Sequence, residues 1–534
     1  MRLRKQRDYG CRVSRRCRDD RPVSGNAGLE PPDHPVCSRP AGPGTWRLPA
    51  NARLVLDTSV RRFAGCLLTG GAPLRIMRLS AKGAFVLDRL VAGTVIGDEP
   101  ATQRLARGLL DAGIVHPRLD PYLIKPAEVT VVIPVRDRTR GLEDTLGALS
   151  PDLRVIVVDD GSVDRDDLIN AIRRLPRRAA TTVLHHDRHM GAATARNTGW
   201  RATRTAFVAF VDADCKPEPG WLAPLLAQLG DPAVGAVAPR VLSGDRAADP
   251  KRCPPPSMVV YETYCSPLDL GPREGPVRPG SWVPYVPTAA MVARRAALED
   301  VGGFDETLRY GEDVDLVWRL DRAGWRVRYE PASIVVHPPR PSLVAWLRQR
   351  ARYGYSAAPL ARRHGGAVTA LDVSPWSAAI WVALAAGQGE IAVALAAGTT
   401  FALDMRTRSQ VQPPLPSREV ARLALRGHLL CGESVARAVT KVWWPVAVLA
   451  AAGFARARRV LLVVALAPHL AEWIRRRPTV GVAQWCAMRL ADDIAYGAGV
   501  WVGCAKENSF TSLLPRRTRA RRVNSGQTTA TSLD

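Results

Sequence analysis

The chain has 534 residues and carries 75 Lys and Arg against 50 Asp and Glu, a formal net charge of +25. That length allows two to four domains and a sizeable core, and the charge points to an anionic partner such as a phosphorylated substrate or an acidic membrane surface. The arginines are scattered rather than gathered into a nucleic-acid-binding motif, and the ten cysteines never form Cys-x-x-Cys, which disfavours nucleic acid, a zinc ribbon and a thioredoxin-like centre.

Residues 1–45 hold no continuous apolar stretch of the kind a secretory signal needs. Their Pro- and charge-rich composition predicts a disordered extension. From Trp46 to Asp120 the sequence turns globular. "RLVLDTSV" and "GAPLRIMRLS" read as strands, "AKGAFVLDRLVAG" as a helix, and "ATQRLARGLLDAGIVHP" as a second helix stopped at Gly113 with Pro117 beyond. This is a small α+β unit without a titratable cluster suited to catalysis.

Between Val129 and Val241, apolar runs ("VTVVIPV", "RVIVVDD", "TTVLHH", "AFVAFVDAD") alternate with the helical patterns "GLEDTLGALS", "DRDDLINAIRRL" and "GAATARNTGW". The pattern predicts an α/β fold with a parallel sheet covered on both faces and ligands at the carboxyl ends of its strands. Asp159 and Asp160 end one such strand, and Asp212 and Asp214 another. Carboxylates at i and i+2 can converge on one Mg²⁺ or Mn²⁺ ion whose octahedron a diphosphate completes; an Asp pair before Gly161 is equally compatible with turn chemistry. The helix start "GAATARNTG" offers backbone N–H groups and Arg196 to an anion, or close helix–sheet packing through its small residues.

Downstream, "GEDVDLVWRL" sets Glu312, Asp313 and Asp315 against a half-apolar helical pattern. These are either a charged first turn, favoured by the helix dipole, or a general base at the rim of a cleft. By helical spacing Asp315 falls on another face and reads as a solvated or capping charge. His337 closes the strand "ASIVVH", as a metal ligand or a satisfied edge residue.

Past Arg340, four apolar runs ("WSAAIWVALAA", "IAVALAAGTTFAL", "VWWPVAVLAAAGFA", "VLLVVALAPHLAEWI") are separated by charged segments. Each is shorter than the roughly 20 residues of a membrane span. They read either as buried core helices or as interfacial helices at an anionic bilayer. The segment from Lys506 reads as a disordered basic tail.

The motifs "VVIPVRDR", "VVDDGS", "GAATARNTGW", "FVDADC", "VPTAAMVARRAALEDVGGFDE" and "GEDVDL" occur in the order and spacing of inverting family-2 glycosyltransferases, which residues 126–340 closely resemble. The resemblance implies a GT-A nucleotide-diphospho-sugar transferase core, flanked by the small N-terminal α+β domain of residues 46–120 and a C-terminal apolar helical region over 341–505. It implies Asp159 and Asp160 on the nucleotide base and ribose, Pro134 and Arg136 lining the base pocket, and Asp212 beside the donor sugar. It places Asp214 on a divalent metal (Mn²⁺ or Mg²⁺), for which Asp212 and His337 are further candidate ligands, makes Asp313 the catalytic base and sets Glu312 beside it at the acceptor. "QRARY" is similar to the Gln-x-x-Arg-Trp motif of processive β-glycan synthases. That implies Gln349 and Arg352 on the diphosphate and Tyr353, in place of Trp, under the acceptor sugar.

The order of domains resembles the glycosyltransferases of the mycofactocin system of actinobacteria. Their N-terminal unit is similar to the peptide-recognition domains of modified-peptide pathways. This likeness implies a UDP-sugar donor, a peptide-derived acceptor (premycofactocin), a short β-1,4-linked glucan product, and a cell-membrane location with the catalytic domain in the cytoplasm. A membrane polysaccharide or glycolipid synthase, or a membrane-anchored peptide carrier, stays open at this point.

Overall fold

The computed structural model describes residues 46–175, 181–244 and 257–517. The extension expected over residues 1–45 lies outside them, as do residues 518–534 of the tail expected from Lys506.

The N-terminal unit runs β1 (Arg53–Leu56), β2 (Arg61–Phe63), β3 (Leu67–Gly70), β4 (Arg75–Arg78), α1 (Ala81–Val91), α2 (Pro100–Asp111) and β5 (Val115–Arg118). β2, β3 and β4 form an antiparallel sheet, and β1 pairs with β5. Ser80 caps α1 by accepting from Gly83 N at 3.0 Å, and α2 starts on a proline, whose missing N–H costs nothing there. Leu87, Leu90, Ala106 and Leu109 turn one face of each helix onto Leu54 and Leu68. The second helix ends before Gly113, as expected, and the stretch after it, which the sequence left unassigned, is the strand β5. Pro117 is tolerated in it because β5 pairs on one side only. Two-pronged pairs dock this unit on the core: Arg107 reaches Asp231 at 2.7 and 2.8 Å, and Arg326 reaches Asp111 at 2.8 and 2.7 Å. Bidentate geometry fixes direction as well as distance.

The core continues with β6 (Val129–Val135), α3 (Thr139–Ala148), β7 (Arg154–Asp159), α4 (Arg165–Arg174), β8 (Thr181–His185), α5 (Ala192–Ala202), β9 (Phe207–Val211), β10 (Lys216–Pro217), α6 (Leu222–Leu229) and β11 (Val234–Ser243). Then come α7 (Ser257–Cys265), β12 (Gly275–Val277), β13 (Ala290–Arg294), α8 (Arg295–Val301), α9 (Glu312–Arg322) and β14 (Arg326–His337). One sheet orders these strands β10-β14-β11-β13-β9-β6-β7-β8, with β12 also on β14. β8, β7, β6 and β9 are parallel, as the apolar runs predict. The sheet as a whole is mixed, because β13 enters antiparallel to both β9 and β11. Val131, Ile133 and Val157 face one apolar layer, while Val132, Ile156 and Val158 face the other. That two-sided burial is why these strands read as continuous apolar runs.

The chain then forms α10 (Leu343–Tyr355), α11 (Ala357–His364), β15 (Leu371–Val373), α12 (Pro375–Ala385), α13 (Gly389–Gln410), α14 (Ser417–Arg437), α15 (Trp444–Gly453), α16 (Ala455–Arg476), α17 (Val482–Lys506) and β16 (Pro515–Arg517). β16 pairs with β15, so residues 506–517, expected as the start of a disordered tail, are ordered. α17 packs on α10 backbone to backbone: a Cβ on Gly499 would fall 1.9 Å from the Ala351 carbonyl oxygen. The apolar runs are not buried core helices. Val382, Val393, Phe401, Leu449, Leu462 and Val463 are all more than half exposed. Among the described residues no single helix is long and apolar enough to cross a membrane, though the pair Ser417–Val442 and Trp444–Gly453, bent by 89°, passes by length and composition.

Candidate active site

β7 delivers Asp159 and Asp160 to the carboxyl edge of the sheet, and both are buried. Asp159 accepts from Ser162 N at 2.9 Å and pairs with His185 Nδ1 at 3.0 Å. Asp160 Oδ1 meets His186 Nδ1 at 2.9 Å and Met190 N at 2.8 Å, while Oδ2 meets His189 Nδ1 at 2.7 Å and Gly191 N at 2.9 Å. Burial pushes both carboxyls up, and these hydrogen bonds outweigh it, holding them below the usual carboxylate range. Every acceptor position of Asp160 is taken. It fixes the loop that starts α5. Pro134 lies half-buried near the end of β6, and Arg136 is exposed, 3.3 Å from Asp137.

β9 ends at the second pair of aspartates. Asp212 and Asp214 sit on a tight turn closed by Cys215 N donating to the Asp212 carbonyl at 3.0 Å. Arg196, buried on α5, donates from Nη2 to Asp212 at 2.7 Å and from Nη1 to Glu312 at 2.8 Å. Both terminal nitrogens are thereby spent on carboxylates, so Arg196 bridges the Asp212 turn to α9 instead of offering a free fork to an anion. Asp214 keeps company with His337 Nε2 at 3.8 Å and with Arg138. Burial, reinforced by Arg340, pushes the His337 imidazole down to about 4, leaving it neutral and able to ligate.

Asp212, drawn toward Arg196, does not complete a three-ligand set. Among the described residues no group of three or more His, Cys, Asp or Glu side chains could hold a metal ion. A carboxylate and a neutral imidazole remain, and this pair fits a divalent cation that arrives with diphosphate oxygens to finish its shell.

α9 starts at Glu312 behind Gly311, whose φ is +81°. A Cβ on that glycine would meet Ser356 at 2.9 Å and Leu360 at 3.0 Å, so only glycine lets the helix start lean on the α10–α11 junction. Asp313 is half-buried there. Burial and the neighbouring Glu312 charge raise its carboxyl to about 7, where a general base works best near neutral pH. Asp315 overturns the sequence expectation: it is buried, not solvated. It accepts from Arg319 Nε at 2.7 Å and pairs with His364 Nε2 at 2.8 Å. The helical turn that exposes Asp313 to the cleft turns Asp315 inward against α11.

On α10, Gln349 has its amide oxygen toward Arg340, accepting from its Nε and Nη2 at 3.1 and 3.0 Å and from the Tyr353 hydroxyl at 2.9 Å. Burial pushes that hydroxyl up to about 12. Arg352 is exposed and lies over the Tyr310 ring. The structure thus unites Gln349 and Tyr353 with Arg340 and sets Arg352 with Tyr310. Arg138, Arg340 and Tyr285 escaped the sequence reading. Arg138 lies inside "VVIPVRDR" and was in view, whereas Arg340 and Tyr285 gave no spacing signal. The charges of Asp313 and Tyr353 act on Tyr285, whose hydroxyl is raised chiefly by burial.

The sequence pattern of glycosyl transferase family 2 matches residues 130–302, and that of glycosyl transferase family group 2 matches residues 273–474. Pre-mycofactocin glycosyltransferase of Mycobacterium tuberculosis is 40% identical over 488 residues, which is 88% of this chain and 98% of the relative. The chain belongs to the family-2 glycosyltransferases, in the branch of the mycofactocin system. The family-2 core is the α/β GT-A fold expected from the ordered motifs. Glycosyltransferase AglE of Haloferax volcanii is 27% identical over 40% of this chain and 67% of its own length. Among solved structures, a mannosyltransferase from Pyrobaculum calidifontis in complex with GDP-Man and Mn²⁺ aligns over 58% of this chain and 89% of its own, at 23% identity and a TM-score of 0.34.

Proposed function

We propose that this glycosyltransferase moves glucose from a UDP-sugar, with inversion, onto a peptide-derived acceptor and extends it as a short β-1,4-glucan. The observation that carries the reading is the half-buried Asp313, with its raised proton affinity, tied through Glu312 and Arg196 to Asp212 at the donor turn. Asp313 takes the acceptor hydroxyl proton while that oxygen bonds to the anomeric carbon, and the bond to the diphosphate oxygen breaks on the opposite face. The electron pair leaves with the nucleoside diphosphate. Asp214 and His337 would hold a divalent cation, which supplies Lewis-acid stabilisation of the leaving group. Arg340 faces the same edge and positions Gln349, whose partner Tyr353 offers a ring for the acceptor sugar. The peptide-derived acceptor is supported by the relative's name and by the N-terminal unit docked beside β12 and β14.

The C-terminal helices favour work at an anionic membrane surface. α16 presents Leu462, Val463, Leu466, Leu470 and Ile474 to solvent between Arg458 and Arg459 at one end and Arg475 and Arg476 at the other. Such a helix lies in an interface with its apolar side chains in the acyl boundary and its arginines among headgroups.

Incubation of the purified chain with UDP-glucose, Mn²⁺ and premycofactocin, read by mass spectrometry, tests the reading. The expected product is a ladder of hexose additions on the acceptor. Release of UDP with no sugar on the peptide-derived acceptor, alongside transfer to a lipid or glycan, would put a polysaccharide or glycolipid synthase in its place.

A further inference from the structure

Asp214 stands at the centre of the donor edge, and its nearest cation belongs to the chain itself. Arg138, the residue before α3, sets Nη1 on Asp214 Oδ2, while Asp214 Oδ1 faces His337. The Asp214 side chain is 11% exposed and that of Arg138 47%. The carboxylate is therefore fixed by its surroundings, whereas the guanidinium sits at the mouth on a long, flexible stem. The backbone keeps the two together: Gly141, in the first turn of α3, would bring a Cβ within 2.7 Å of the Ala213 carbonyl oxygen.

A guanidinium and a divalent cation on one carboxylate repel each other, so the arrival of one displaces the other. A diphosphate that comes with the cation presents oxygens to the displaced guanidinium, which binds phosphate through its fork. We propose that Arg138 is a stand-in for the divalent cation on Asp214: it neutralises that carboxylate before donor binding, yields its place to the metal, and turns to the diphosphate. The inference rests on the donor-site reading above. Its consequence is coupling, because metal alone must displace Arg138 without compensation, while metal with nucleotide gives Arg138 a new partner. The device discourages loading of bare metal and favours the metal–nucleotide pair.

The test is Mn²⁺ and UDP binding, without turnover, on the full chain and on Arg138→Gln and Arg138→Lys. Free Mn²⁺ is followed by electron paramagnetic resonance and UDP by calorimetry. Arg138→Gln is expected to bind Mn²⁺ alone about fivefold or more tightly and UDP in saturating Mn²⁺ about fivefold or more weakly, with a reduced mutual enhancement. Arg138→Lys, which keeps the charge and loses the fork, is expected to hold Mn²⁺ binding weak and recover part of the UDP affinity. Unchanged or weaker Mn²⁺ binding in Arg138→Gln overturns the proposal, and so does an undiminished enhancement between metal and UDP. If the unaltered chain shows no Mn²⁺-dependent UDP binding, the donor-site reading falls and this inference with it. If it shows that binding and Arg138→Gln matches it, the inference alone falls.

Discussion

Arg196 Nη1 donates to Glu312 Oε1 at 2.8 Å, so the first residue of α9 is held by the helix that follows β8. Nη2 of the same guanidinium reaches Asp212 at 2.7 Å. One buried side chain therefore sets the distance between the turn that carries Asp212 and the carboxylates that open α9. Lysine keeps the charge but cannot span two partners in a fixed fork. Arg196→Lys is expected to lower UDP affinity and turnover together, each by about tenfold, a loss of roughly 1.4 kcal/mol per effect. Arg196→Ala, which strands two carboxylates, should lower stability by about 3–5 kcal/mol. Calorimetry with UDP and thermal melts decide it; full donor affinity in both variants would reduce Arg196 to a packing residue.

Asp313 must be deprotonated to accept a proton, so kcat/KM should fall as pH drops through about 7, the value to which burial and Glu312 raise its carboxyl. Glu312→Gln removes the neighbouring negative charge, lowers the Asp313 proton affinity and should move that acid limb to lower pH. Asp313→Asn keeps the shape without the basicity and should reduce turnover about 10²–10⁴-fold. UDP binding should survive it, because Asp214 and His337 are untouched. A flat profile from pH 5 to pH 8, or near-normal turnover in Asp313→Asn, would send the search for the base elsewhere.

The parallel half of the sheet was legible because Val131, Val132, Val157 and Val158 are buried on both faces, and such strands show as unbroken apolar runs. β13 was not. Its antiparallel entry between β9 and β11 depends on the path of residues 275–290, which carries no periodic signal. At the site, Asp214, Asp313 and Glu312 stood out because strand ends and helix starts announce themselves locally. Arg340 and Tyr285 reach the site from distant segments, and single-chain spacing cannot pair them. Asp315 failed for a related reason: helical periodicity places it on a different face from Asp313 but does not say whether another helix covers that face. α11 does, through His364.

That covering makes Asp315 a stability element. Its side chain is 2% exposed and bonded to both His364 and Arg319. Burial raises its proton affinity, but those partners outweigh it and hold the carboxyl below the usual range. A depressed folded value means a stabilising contribution that is present above the unfolded value of about 4 and lost as pH falls through the folded one. Asp315→Asn should lower stability by about 3 kcal/mol at neutral pH and flatten the acid side of the melting curve. Turnover in the cold should suffer far less than in Asp313→Asn. Equal melting temperatures for the variant and the unaltered chain would return Asp315 to the solvated role that helical spacing gave it.

The membrane surface proposed for the C-terminal helices can be tested on α16. In α16 the exposed side chains of Leu462 and Val463 are 57% and 64% accessible, and the exposed arginines Arg458, Arg459 and Arg475 flank the apolar stretch. If this face lies on an anionic bilayer, each arginine near the surface adds about 1 kcal/mol of attraction that salt screens. Arg458→Ala, Arg459→Ala and Arg475→Ala together should then weaken partition onto phosphatidylserine-containing vesicles by about 3 kcal/mol, roughly a hundredfold, and reduce the salt dependence of what remains. Leu462→Asp with Val463→Asp should weaken binding to neutral and anionic vesicles alike, since it removes the apolar contribution and sets charge at the acyl boundary. Both sets lie far along the chain from Asp214 and Asp313, so transfer to a soluble acceptor should persist in each. Vesicle sedimentation measures the partition. A chain that stays in the supernatant with anionic vesicles, or variants that sediment as the unaltered chain does, would leave these faces to a protein partner and end the membrane reading.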